Sequence, residues 1–164
     1  MSQDYNINKI YIYMATKRHR GRKGGTRRRH SGSSSLASFQ KEITVKFLEI
    51  LLMVKLFHWK TTDYATHKAT DELYSKLNEN IDEFIEVLLG KSGLRIDLMS
   101  NKNIRLIDLT SQDKLKREVD EFKGYLVSLD DNKALKSMSN TDLYSIRDTI
   151  LANMNQFLYL LTFK

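Results

Sequence analysis

From Leu36 to the C-terminus, apolar residues recur at steps of three and four, the spacing that places them on one face of an α-helix. The first stripe consists of Leu36, Phe39, Ile43, Phe47, Ile50, Val54 and Phe57. The pattern predicts a second helix over about 64–89, a third from near Thr110 and a fourth from near Ser139. The chain contains no proline, which fits long helices with short joints. An extended connection or a weak hairpin is expected at 91–110, so the pattern predicts an all-α bundle of four helices with one long crossover connection.

The positive charge of the chain is concentrated at its N-terminus. Residues 1–35 contain nine Lys/Arg and one acidic residue, a net charge of +8, whereas residues 36–164 carry −1. The basic residues cluster in two blocks, Lys17, Arg18, Arg20, Arg22 and Lys23, then Arg27, Arg28 and Arg29. Glycine and serine fill most of the space between and after these blocks, so no core can form there. The sequence therefore predicts a disordered basic arm over 1–35 and a helical bundle over 36–164.

Flexible Arg and Lys side chains neutralise phosphates without selecting a base sequence. The two basic blocks contain no aromatic residue, so base stacking is not expected as their main mode of binding. The arm is predicted to bind DNA or another polyanion non-specifically. A solubilising tail, a localisation signal and a contact with an anionic membrane are the alternatives. Met14 opens the basic segment and offers a second possible translation start besides Met1.

Composition also narrows the class of protein. The chain has no cysteine, which excludes disulfides and thiolate metal sites. It contains no apolar run long enough for a transmembrane helix, and no secretory signal is recognisable at its N-terminus. An intracellular, reducing compartment is therefore expected.

The predicted second helix carries histidine and carboxylates on one face. His67, Asp71, Asp82 and Glu86 fall within a sector of about 100° at the α-helical repeat. Imidazole and carboxylate ligands suit iron or manganese. His67 and Asp82 lie 15 residues apart, roughly 22 Å along a helix, so one helix cannot bring both to the same ion. A second copy packed antiparallel about a two-fold axis can do so, which predicts a metal site shared between subunits.

Simpler explanations exist for each of these residues. A histidine and an aspartate one turn apart commonly form a solvated polar face. His58, taken alone, is typical of a histidine at a helix end. Trp59, the only tryptophan, is more often an anchor in a core or an interface than a functional group.

The same residues resemble the motif of the Dps-type ferritins, the DNA-binding proteins from starved cells. That family has a His-Trp pair at the end of its first helix, then a histidine followed by acids at +4, +15 and +19. The matching residues here are His58, Trp59, His67, Asp71, Asp82 and Glu86. The likeness covers about 36–164 and is specific over 57–90. It implies a ferritin-like four-helix bundle with one long crossover connection.

The resemblance also implies a function, with all six motif residues in the catalytic centre. In that family, two ferrous ions bind between subunits and are oxidised by peroxide or oxygen. His58, His67 and Asp71 would come from one subunit, and Asp82 and Glu86 from the next. Trp59 would lie close enough to scavenge an oxidising radical. Iron is the implied metal, and no organic cofactor is expected.

The implied assembly is a homo-oligomer that associates through the second helix, with a dimer as the minimum and a dodecameric cage as the full family form. Two features depart from the family. The segment between His58 and His67 is shorter and lacks its glycine, and residues 91–110 do not resemble its connecting helix. The alternative function is a structural nucleic-acid-packaging or virion protein that keeps the bundle without catalysis. The stretch from His58 to Asp82 also resembles uncharacterised chains of large DNA viruses, which implies a virion or an infected cell as the setting. Association with a nucleoid is the other expected setting.

Overall fold

The computed structural model describes residues 31–100 and 103–163, and every regular element in this part of the chain is helical. The elements are α1 (Ser31–Lys60), α2 (Tyr64–Ser92), α3 (Gln112–Ser128), a 3₁₀ turn (Leu129–Asp131), α4 (Lys133–Lys136) and α5 (Thr141–Leu160). For these residues, the prediction of an all-helical fold with four long helices is confirmed. The short turn and α4, which join α3 to α5, were not predicted.

Local signals set the ends of α2. Three residues separate α1 from α2, and the side chain of Asp63 accepts the backbone N–H of Thr66 at 2.7 Å, which caps the first turn of α2. At the other end Gly93 adopts a left-handed conformation with φ of 64°, and its N–H bonds to the carbonyl of Leu89. Gly93 therefore ends α2, whereas Gly90 continues the helix, so α2 extends three residues beyond the predicted end near residue 89.

The four long helices surround one core. α1 packs on α2, α2 on α5, α5 on α3 and α3 on α1, so each long helix contacts two others. The apolar stripe predicted for α1 faces inward, and all of its members except the half-buried Leu36 are buried. Near the centre of the core, Phe47 of α1 meets Phe84 of α2 edge to face, with 5.3 Å between ring centroids.

The connection between α2 and α3 runs along the length of α1. Partway along it, Ser100 lies 3.5 Å from the ammonium of Lys41, in the first half of α1. At its end Asp108 pairs with Lys60, the last residue of α1. α3 therefore runs parallel to α2, as a crossover connection requires. Residues 93–100 and 103–111 contain no strand, so the described part of this connection is extended rather than a hairpin.

The helical region begins earlier than the apolar stripe. α1 starts at Ser31, so residues 31–35, which the sequence assigned to the arm, continue the helix as its first turns. Serine has an intermediate helix propensity, which allows a helix fixed further along to extend through it. The eight arm residues predicted to contact nucleic acid lie outside the described residues. None of the described helices is both long and apolar enough to span a bilayer.

Candidate metal centre

Two histidines meet where α1 turns into α2. His58 lies in the last turn of α1, and His67 lies in the first turn of α2. Because the break between these helices is so short, α2 folds back directly onto the end of α1. The two imidazole rings stack with 3.9 Å between centroids and 25° between planes. His58 is buried and His67 is half-buried.

The two histidines hold each other through their backbones. Nδ1 of His58 lies 3.1 Å from the carbonyl oxygen of His67, and Nδ1 of His67 lies 3.1 Å from the carbonyl oxygen of His58. A carbonyl oxygen only accepts, so each Nδ1 carries the proton and donates it. In the neutral rings both Nε2 atoms then keep a lone pair. Metal-binding histidines are commonly oriented in this way, with the second ring nitrogen bonded to a carbonyl or carboxylate.

A carboxylate lies next to the free nitrogen of the buried ring. Oδ1 of Asp71 is 3.7 Å from Nε2 of His58. The same oxygen is 4.0 Å from the ammonium of Lys55, which also lies over the ring of Tyr74 at 4.5 Å from its centroid. The side chain of Asp71 remains 53 % exposed. The arrangement therefore presents one buried imidazole, one half-buried imidazole and one carboxylate toward the outer face of α1 and α2, with a cation beside them.

The other two predicted ligands lie further along α2 and are exposed. At the rise of an α-helix, Asp82 is roughly 22 Å from His67, so the fold does not bring it to the histidine pair. Glu86 lies beyond it. Within the described ranges, no three His, Asp or Glu side chains are placed to hold one ion in a single chain. A metal centre built from all five residues needs a second copy.

Two contributors were not found from the sequence. Thr70 is fully buried, and its hydroxyl donates to the carbonyls of Thr66 and His67 at 2.8 and 3.0 Å, which fixes the turn that carries His67. The second contributor is Lys55, which precedes His58 by three residues. That spacing makes the two side chains neighbours on the surface of α1. At the cap of α2, hydrogen bonds from Thr66 lower the pKa of Asp63.

The pattern of charge along the outer face of α2 is uneven. Lys55, His67 and Lys68 lie at the end near the histidine pair, and Asp82 and Glu86 lie toward the other end. A two-fold axis near the middle of α2 would therefore set the more basic half of each copy against the acidic half of the other. The predicted shared site is compatible with this distribution of charge.

Comparison with known proteins gives a family but no activity. A family of unknown function (DUF5856) matches residues 58–161, which is more than half of the chain and extends from the histidine pair to the end of α5. No curated protein matches the chain. No solved structure matches it either. On the extent of the family match, the chain belongs to this family of unknown function.

Proposed function

We propose that the protein binds and oxidises ferrous iron at centres shared by two copies of the chain, as in the Dps-type ferritins whose motif it resembles. The observation that carries the proposal is the reciprocal bonding of His58 and His67. Each ring donates through Nδ1 to the backbone of the other, which leaves both Nε2 atoms available beside Asp71. This orientation, with Nδ1 bonded to a backbone carbonyl and Nε2 free, is common among metal-binding histidines.

The donor set fits ferrous iron as the substrate. Imidazole nitrogen and carboxylate oxygen bind Fe²⁺, and additional carboxylates stabilise the ferric product. His58, His67 and Asp71 would come from one copy, and Asp82 and Glu86 from the other. Two ferrous ions supply the two electrons that reduce one hydrogen peroxide, with two protons, to water. Trp59, whose ring lies 5.9 Å from the ammonium of Lys55, is close enough to the centre to intercept an oxidising radical.

The fold proposed with this function is ferritin-like. The support is the topology: two long helices, a connection that crosses the length of the bundle, and two more long helices. The assembly proposed is a homodimer through α2 as the minimum, with a cage as its extension. The basic arm would bind DNA or another polyanion without sequence preference, and many arms on one oligomer would strengthen that binding. The setting proposed is a reducing compartment, in a nucleoid or a virion.

One observation favours a second function. Lys55 lies 4.0 Å from Asp71, so the carboxylate already has a cation beside it. A lysine in this position competes with a metal ion for the same charge. The alternative is therefore a structural protein that packages nucleic acid, in a virion for example, and retains the bundle without oxidising iron.

Mixing two inactive variants tests the shared centre. Asp71→Asn and Asp82→Asn each change one exposed carboxylate to a neutral isostere, and each should abolish iron oxidation. After subunit exchange, a mixed dimer has one centre with both carboxylates and one with neither. About a quarter of all centres should then recover, because about half of the dimers are mixed. Asp120→Asn, an exposed aspartate on α3, is the matched control and should behave as the native chain.

The outcomes separate the alternatives. No recovery on mixing, with both variants inactive alone, would mean that Asp71 of one copy and Asp82 of the other do not meet in a shared centre. Native activity in both variants, or no iron bound by the native chain, would remove the iron-oxidising function and leave the structural alternative. Peroxide consumption, iron content and anomalous scattering at the iron edge are the measurements.

The arm is tested separately. Removing residues 1–30 leaves α1 intact and should abolish salt-sensitive DNA binding. A matched full-length variant replaces the eight Lys and Arg residues of the two basic blocks by Gln, which retains the length of the arm. DNA affinity that is unchanged in either variant across a salt series would show that the arm is not the binding element.

A further inference from the structure

Trp59 is a large apolar side chain exposed on the same face as the proposed iron ligands. It is 68 % exposed, and it is the only tryptophan in the chain. Its ring lies beside Lys55, which also contacts Asp71 and Tyr74, so Trp59 belongs to the outer face of α1 and α2. Exposed tryptophan is uncommon on a free surface and is enriched where proteins associate.

The same face contains a groove between α1 and α2. Its volume is about 240 Å³, below the roughly 300–1,000 Å³ of ordinary small-molecule sites and suited to one large side chain. Apolar side chains line most of it, together with three polar residues. The lining includes Thr44, Leu48, Leu51, Ile81, Asp82 and Ile85. The hydroxyl of Thr44 is buried and has no hydrogen-bond partner.

The proposed two-fold arrangement places the groove opposite Trp59. When His67 of one copy pairs with Glu86 of the other, and Asp71 with Asp82, the two-fold axis lies midway along α2. Each residue near the start of α2 in one copy then faces a residue near the end of α2 in the other. Trp59 lies at the level of the histidine pair of its own chain. In the two-fold arrangement, Trp59 therefore faces the part of the second copy that contains Glu86 and its neighbour Ile85, a residue of the groove.

We propose that the groove receives Trp59 of a second copy of this chain. This inference rests on the proposed function, because it uses the same two-fold arrangement. The indole ring packs on the apolar walls, and its N–H finds an acceptor among the exposed polar side chains of the groove, Asn78 and Asp82. By symmetry each copy gives one tryptophan and receives one. The more basic end of each face meets the acidic end of the other, which fixes the same register.

The single tryptophan provides the test. The full-length protein is studied over a range of concentrations, with mass from sedimentation and the environment of Trp59 from its fluorescence emission and its quenching by acrylamide. We expect the emission to shift to shorter wavelength, and quenching to fall, in step with dimer formation. Trp59→Ala should weaken association by about 30-fold or more, as truncation of a central interface aromatic does.

Matched variants test each side of the contact. Tyr159→Ala removes an aromatic on α5 that is 62 % exposed, and it should leave association unchanged. Leu48→Gln alters the groove and should weaken association and restore quenching of Trp59. Leu106→Gln changes a leucine of the crossover connection that is 59 % exposed and outside the groove, and should do neither.

Each contrary result has a distinct meaning. A dimer whose Trp59 stays as quenchable as in the monomer overturns the seating of Trp59 and leaves the shared metal centre standing. A blue-shifted emission that does not depend on concentration places Trp59 against its own chain and also overturns the inference. A chain that remains monomeric at all concentrations, with and without iron, overturns both this inference and the shared centre.

Discussion

Replacing His67 with Phe should destabilise the fold by removing one hydrogen-bond donor. The carbonyl of His58 is among the last four of α1, which have no partner within their own helix. It accepts Nδ1–H of His67 at 3.1 Å in a partly buried position. His67→Phe keeps an aromatic ring on His58 but leaves this carbonyl without its donor. A lost hydrogen bond of this kind costs about 0.5–1.5 kcal/mol, and a buried unsatisfied acceptor about 1–3 kcal/mol. We expect a loss of about 1–2 kcal/mol, since burial is partial.

The companion variant His67→Asn reverses the change, because its side-chain amide can donate from nearly the same position while the ring is lost. Urea unfolding followed by circular dichroism gives the free energy of unfolding for each variant, at one fixed protein concentration because association contributes to stability. His67→Asn should be the more stable of the two. Equal stability of His67→Phe and the native chain, or a greater loss for His67→Asn, would refute the assignment of Nδ1 as the donor.

Three further perturbations have defined outcomes. Arg147→Met removes a buried guanidinium that joins Asp130 to α5 but leaves only the exposed carboxylates of Asp130 and Asp148 behind, so thermal unfolding should show a loss of about 1–2 kcal/mol. Phe84→Ala empties a fully buried site in the core and should cost about 3–5 kcal/mol by urea unfolding. The ammonium of Lys91 lowers the pKa of Asp142, so this pair stabilises the fold at neutral pH. That contribution is lost in acid, as the pH falls from the unfolded carboxyl's 3.8 through the lowered pKa of the folded state. Asp142→Asn should therefore lower the melting temperature at pH 7. In strong acid the variant and the native chain should have the same melting temperature.

Sequence periodicity was sufficient to predict the long helices because each of them buries only one face. The stripe that predicts α1 is the set of residues that meets the core, and the helix breaks follow from local chemistry at Asp63 and Gly93. These signals act over one or two turns, so they can be recognised without knowing the fold. The start of α1 at Ser31 has no such signal, since serine neither extends the apolar stripe nor interrupts a helix.

The turn after α3 shows where periodicity fails. α4 has only four residues, too few to establish a helical repeat, yet its Ala134 and Leu135 are buried in the core. The side chain of Asn132 accepts the N–H groups of both residues and caps the turn. This cap and burial in the core determine the structure of the segment. Neither can be recognised from the sequence, which shows only two adjacent apolar residues in a polar stretch.

The sequence located His58, His67 and Asp71 of the candidate site, but it did not indicate Thr70, Lys55 or the contacts among these residues. Spacing identified His67 and Asp71 because both lie on one helix. The bond between His58 and His67 depends on the angle at which α2 folds back onto α1, which the sequence of the short break does not specify. The contact of Lys55 with Asp71 likewise joins two helices. It is the contact that most directly opposes metal binding, and so the one that most needs testing.

A shared centre makes iron binding and association a single linked equilibrium, and this linkage separates the two proposed functions without measuring turnover. An ion that needs His67 and Asp71 from one copy and Asp82 from another binds the dimer and not the monomer. At a free iron concentration about 100 times the dissociation constant of iron, each centre stabilises the dimer by about 2.7 kcal/mol. Each centre then lowers the dissociation constant of the dimer roughly a hundredfold. A structural protein in which Lys55 already neutralises Asp71 gains nothing from iron, and its dissociation constant stays the same. Sedimentation with and without anaerobic ferrous iron distinguishes these cases, and Lys55→Met should increase the iron dependence only when the centre is real.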